Sequence, residues 1–133
     1  MSKSNEELEL LEMSELHMRA WKEEDIDTLF DIEKESFGYG RRASDIRTPP
    51  KHRENNYRTS LSDFFAGNKG FFNTMSQEDV RIIGDIGLHW GVYTENLPEK
   101  DGSINYVKVR FTNTWIKIDG KWKIALYHRE RFQ

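Results

Sequence analysis

Four histidines, a late arginine and an unusual number of rings are where chemistry could reside in this 133-residue chain. His17 falls with Leu10, Met13 and Trp21 on one face at helical spacing. Histidine titrates near neutrality, so His17 could donate or accept a proton in an interior pocket; otherwise it is a core-edge histidine satisfied by a backbone carbonyl. His89 stands in the alternation Asp85, Gly87, His89, Gly91, Tyr93. Small residues leave room there and polar ones can point into it, so this face is assigned to a cavity. If His17 and His89 both point inward, an acid-base pair becomes available, with Asn113 beside it. Arg129 could hold an anionic group or pair with an acid at the pocket mouth. Trp21, Tyr39, Tyr57 and Phe64 are individually core residues by type; grouped at a mouth they suit an apolar or aromatic ligand.

Other chemistries are disfavoured by what is missing. The chain has no cysteine, so it holds no disulfide, thiolate metal site or cysteine nucleophile. No two histidines stand at a recognisable ligand spacing, and no metal or other cofactor is expected. No phosphate-binding glycine loop and no GxSxG nucleophile motif is present. A formal net charge of −3 gives no general attraction for nucleic acid. No apolar run approaches the roughly 20 residues of a membrane span, and the first residues are acidic rather than signal-like, so a cytoplasmic single domain over residues 1–133 is expected.

The elements that must position these residues follow from periodicity. Ser4 is an N-cap for a helix from Asn5 to Trp21, and Asp25 for a second running towards Phe37, ended by Gly38-Tyr39-Gly40. Arg41 to Arg53 is basic, its first part an irregular loop and the whole a mobile lid. Thr48-Pro49-Pro50 starts a third helix, which runs to about Phe65. From Phe71 the pattern becomes strand-like: Phe71 to Met75, Val80 to Tyr93, Ile104 to Ile118 and Lys121 to Phe132, with a turn over Asn96 to Ser103. Three helices followed by antiparallel strands predict an α+β domain with helices on one face of a curved sheet.

Asp119-Gly120 marks the final hairpin. A two-residue turn puts Phe111 opposite His128 and Arg110 opposite Arg129. A three-residue loop from Ile118 to Gly120 puts Arg110 opposite His128 and Asn113 opposite Ala125, and is preferred because facing arginines repel. Val109, Phe111, Asn113, Trp115, Ala125, Tyr127 and Arg129 then share the cavity face. Ile116, Trp122, Ile124, Leu126 and His128 take the other, which suits a dimer interface or outer packing layer.

The segments AWKEEDIDTL, GDIGLHWG and TWIKIDGKWKIALYHR resemble the nuclear transport factor 2-like superfamily, which includes SnoaL-like proteins, ketosteroid isomerases and the calcium/calmodulin-dependent kinase II association domain. The terminal hairpin is most similar to that association domain. The resemblance implies a cystatin-like cone, a strongly bent antiparallel sheet wrapped around the N-terminal helices with a pocket at its open end, assembled through the sheet into dimers or larger rings. It places Arg129 where the association domain has a pocket arginine; Asn113 replaces a second and Tyr93, approximately, a third. Against ketosteroid isomerases, His17 and Asn113 lie near the two oxyanion donors. The general base should fall near Tyr39 to Arg41, where no acid stands, which argues against that reaction.

Two functions are therefore expected to compete. One is an acid-base isomerase, dehydratase or cyclase using His17, His89 and Asn113 on a small apolar or weakly anionic molecule. The other is a non-catalytic ligand-binding or oligomerisation domain using the same cone.

Overall fold

The structure, a computed structural model, describes residues 2–38 and 48–132. Tyr39 and the loop from Arg41 to Arg47, which the sequence reading assigned to the pocket mouth and lid, lie outside the described residues.

Helix α1 spans Asn5–Lys22 and begins on a capping box: the Glu7 N–H donates to Ser4 Oγ, and the Ser4 N–H donates back to the Glu7 carboxylate. Its buried face carries Leu10, Ser14, His17 and Ala20. Helix α2, Ile26–Glu33, starts at Asp25, whose carboxylate accepts from the Thr28 N–H. It ends earlier than periodicity predicts. Phe37–Gly38 is instead a short strand, β1, parallel to the last strand of the chain. The Pro49-Pro50 segment forms a 3₁₀ turn over Pro50–His52, and helix α3 follows as Glu54–Gly67. Pro50 holds the preceding Pro49 in extended backbone (φ −55°, ψ 142°), and Arg53 at φ −146°, ψ 45° interrupts helical geometry, so the 3₁₀ turn and α3 stay separate.

The sheet is ordered β1-β5-β4-β3-β2, with β2 Phe72–Ile83, β3 Ile86–Pro98, β4 Ile104–Ile118 and β5 Lys121–Phe132. The expected single strand from Val80 to Tyr93 is two strands. Gly84-Asp85 makes a two-residue turn between paired Ile83 and Ile86, with Gly84 at φ 60°. Glycine at the first central position satisfies that turn without strain. Strand β3 also continues through Asn96 to Pro98, further than the sequence suggested.

The closing hairpin corrects the preferred register. Ile118 pairs with Lys121, so the loop is the two residues Asp119 and Gly120, both at positive φ (51° and 78°), as a type I′ turn requires. Neither simple register then persists. A bulge between Thr114 and Trp115 on β4 leaves Ala125 of β5 unpaired, so Asn113 pairs with Tyr127 and Phe111 with Arg129. Because side chains alternate, one extra residue exchanges the two faces of β5. Trp122 and Ile124, assigned to the outer face by alternation, therefore join Leu10, Ile32, Val80 and Trp115 in the main core. His128 and Leu126 remain on the exposed side.

A second bulge, between Met75 and Gln77, inserts Ser76 into β2. It sets Met75, opposite Tyr93, and Glu78, opposite Gly91, on the same face although their spacing is odd. Gly91 has to be glycine here: a Cβ would lie 2.0 Å from the Gln77 carbonyl oxygen and 2.9 Å from Glu78 Cα. Gly87 lets α1 lie on the sheet, since a Cβ there would stand 2.2 Å from Leu10 Cδ1.

Candidate functional site

The concave face of the sheet and helix α1 enclose a cavity of about 170 Å³. An apolar cavity of about 150 Å³ holds one benzene, so this space suits a body of about one ring or six carbons. Of the residues named from sequence, His17, Trp21, Phe64, His89, Tyr93, Phe111, Asn113, Trp115 and Arg129 line it. Tyr57 and Tyr127 line a neighbouring chamber of about 200 Å³ that shares Trp21 and Arg129 with the first.

The rings form a continuous edge-to-face lining. Trp21 meets Phe64, Phe65 and Phe71 at centroid distances of 5.8, 5.7 and 6.3 Å, and Phe111 meets His89 at 4.8 Å. Such pairs add to area burial and hold the rings in fixed orientations.

Both histidines are held by carboxylates that no periodicity argument singled out. His17 Nε2 lies 2.5 Å from Glu33 Oε2, and the Tyr57 hydroxyl donates to Glu33 Oε1 at 3.2 Å. Burial pushes the Glu33 carboxyl up, but the His17 hydrogen bond and charge, the field of Arg129 and the Tyr57 donor outweigh it and hold it below the usual carboxylate range. The same arrangement drives the Tyr57 phenol far up, through burial first and then the adjacent Glu33 charge. No hydrogen bond among the described residues reaches His17 Nδ1.

His89 is fixed on both sides. Its Nε2 lies 2.7 Å from Glu78 Oε2, and the Trp115 indole N–H donates to its Nδ1 at 3.2 Å. Indole nitrogen can only donate, so Nδ1 must accept, and the ring proton is assigned to Nε2 facing Glu78. Glu78 Oε2 also accepts from Ser14 Oγ at 3.1 Å. Burial opposes ionisation of Glu78, but His89 and Ser14 outweigh it and keep its carboxyl low. With both nitrogens engaged, His89 serves as a wall of the cavity. His17 keeps a nitrogen to offer.

Arg129 brings the positive charge. It is half-buried, its guanidinium stacks 4.4 Å from the Tyr127 ring centroid, and among the described residues it makes no ion pair. Burial works against its charge, but Tyr93, Glu33, Tyr127 and Glu95 outweigh that and raise its pKa. The neighbouring Glu95 is instead engaged by Arg131 at 2.9 Å. Asn113 is buried with its Oδ1 unpartnered. The cavity is thus an aromatic chamber with one available cation and two amides, Asn73 and Asn113, whose buried Oδ1 atoms are unpartnered among the described residues. Among the described residues no cluster of three histidine, aspartate or glutamate side chains could hold a metal ion, and no helix is long and apolar enough to cross a membrane.

Glu33 was legible in principle: it shares the i, i+3, i+4 face of α2 with Leu29 and Ile32, so a charge on an apolar stripe needed a buried partner. Glu78 was not, because the Ser76 bulge breaks the alternation that would have placed it.

The family model of the calcium/calmodulin-dependent protein kinase II association domain matches residues 6–132. The chain belongs to this family. Association-domain structures share its fold. That of the C. elegans kinase II is 15% identical with a TM-score of 0.72, covering 94% of this chain and 95% of that one. The S. rosetta hub of the same kinase is 16% identical with a TM-score of 0.71, covering 98% and 100%. A nuclear transport factor 2-like superfamily protein from Salmonella enterica serovar Typhimurium is 15% identical with a TM-score of 0.71, covering 96% and 91%. A Nostoc punctiforme protein with a cystatin-like fold also superposes, as expected for the α+β cone. At these identities the likeness is one of fold. No curated protein matches the chain.

Proposed function

We propose that this association domain is a self-associating ligand-binding module whose cavity takes a small molecule with an apolar body and an anionic end. The observation that carries the reading is Arg129: a half-buried guanidinium without an ion-pair partner among the described residues, set in an aromatic cavity of about 170 Å³. With no ion pair among the described residues, its guanidinium donors stay open to a ligand anion, and charge-assisted bonds of that kind are the strong ones. Trp21 and Trp115 line the same space, so binding is readable in their fluorescence. Hexanoate is expected to produce a saturable change, with uncharged hexanamide at least tenfold weaker. Arg129→Met should weaken hexanoate at least tenfold and leave hexanamide unchanged. Equal affinity of the two proteins for hexanoate would remove the anion from the reading.

Self-association is supported by the outer sheet face. Trp90 is 42% exposed, and Ile86 and Leu126 lie on the same side of the sheet at 38% and 37%. The S. rosetta structure that shares this fold is of a hub. Large apolar groups collected on one sheet face mark an interaction surface. The wild-type chain is expected to sediment as a dimer or larger ring, and Trp90→Glu with Leu126→Glu to sediment as a smaller, folded species. An unchanged mass for the double variant would move the interface elsewhere.

A second reading, acid-base isomerisation, dehydration or cyclisation, rests on His17 alone. Its Nε2 is held by Glu33 while no hydrogen bond among the described residues reaches Nδ1. In that reading His17 is the acid or base, with Asn113 or Arg129 as oxyanion donors and His89 as structure. Proton exchange at a ligand carbon, lost in His17→Gln, would distinguish it from binding alone.

A further inference from the structure

We infer that the ligand is a carboxylic acid with a flexible aliphatic tail, bound head-first, whose tail leaves the cavity through the cleft between α1 and β2. This rests on the ligand-binding reading above and extends the same site. A groove of about 390 Å³ runs along that cleft, and it shares Ser14, Met18, Asn73 and Met75 with the cavity, so the two spaces adjoin. Beyond the shared residues its apolar lining continues on Leu11 and Leu8. Leu8 is 48% exposed on a helix whose other exposed residues are polar or charged. From Met18 to Leu11 the helix rise provides about 10 Å of groove outside the cavity. Strand β2 is the sheet edge, and among the described residues no further strand closes the cleft on that side. The passage is flanked by two methionines, unbranched side chains that can move aside for a narrow chain.

Charge sets the direction. Glu12, Glu15 and Glu78 border the groove, whereas the cavity holds Arg129 and one carboxylate, Glu95, which is already paired with Arg131. A carboxylate is repelled at the groove and attracted at Arg129, so the head lies inside and the methylenes run outward over the leucines. A compact ring would leave the groove empty; an aliphatic chain fills both.

The test is a chain-length series with hexanoate, decanoate and dodecanoate on the intact protein, read by tryptophan fluorescence and checked by calorimetry. Each methylene moved from water into apolar surroundings is worth about fourfold in affinity, so dodecanoate should bind at least tenfold tighter than hexanoate. Leu11→Gln should reduce that gain at least threefold while leaving hexanoate within twofold. Leu8→Gln, at a solvent-exposed position that cannot threaten the fold, should do the same to a smaller degree. Hexanoate binding with no gain at twelve carbons would overturn the tail path and leave the cavity reading intact. A gain untouched by both leucine variants would also overturn it. Failure of every acid to bind would remove both readings.

Discussion

Replacing Gly91 by alanine is expected to destabilise the fold by about 3 kcal/mol, the upper end of what overpacking costs, and to lower the melting temperature by about 10 °C. The added Cβ would sit 2.0 Å from the Gln77 carbonyl oxygen and 2.9 Å from its carbon, both backbone atoms that no rotamer change can move. Strand β2 must shift away from β3 where the Ser76 bulge turns Met75 and Glu78 towards the interior. The damage therefore reaches the site: Glu78 loses its position on His89 and Ser14, and Met75 its place in the cavity wall. Chemical denaturation gives the energy, and the Trp115 emission reports the neighbouring His89. Gly67→Ala is the control, since an added Cβ there meets nothing within 4 Å. Equal stability losses for the two substitutions would mean that the bulge accommodates a side chain.

Glu33→Ala is expected to cost about 3 kcal/mol or more, since leaving each of two buried polar groups without its partner costs about 1–3 kcal/mol. The loss leaves His17 Nε2 and the Tyr57 hydroxyl without the carboxylate that receives both. Glu33→Gln keeps the volume and one acceptor, and should cost distinctly less. The pH dependence separates charge from shape. Glu33 has a folded-state pKa below its unfolded one, so its contribution is fully present above the unfolded carboxylate value, about pH 4.3, and is lost as pH falls through the lowered folded value. Denaturation midpoints of the wild type should therefore fall on acidification below about pH 5, and part of that fall should vanish in Glu33→Gln. A variant with the wild-type acid slope would mean that the carboxylate is not ionised in the fold. Because His17 forms one wall of the cavity, Glu33→Ala should also alter hexanoate binding, whereas a purely structural carboxylate would change stability alone.

What could be read before folding and what could not divides along one physical line. Signals that depend on neighbours in sequence were legible: the N-caps Ser4 and Asp25, each a local hydrogen bond, and the hairpin site at Asp119-Gly120, though not its two-residue loop length. So was the concave set His89, Tyr93, Phe111, Asn113 and Arg129, which the cavity collects. The terminal motif was also enough to suggest the association domain, whose family model covers residues 6–132. The rest was decided by tertiary structure. The unpaired Ala125 and the inserted Ser76 each add one residue, and one residue reverses strand parity; that is why Trp122 and Ile124 lie in the core and Glu78 reaches His89. Glu33 meets His17 only because α2 folds back on α1, and that crossing angle is set by packing rather than by any local pattern. Sequence alone determined which residues could do chemistry; the bulges and the helix crossing decided that His89 is held on both sides, that His17 keeps a nitrogen, and that Arg129 lines the cavity without an ion pair among the described residues.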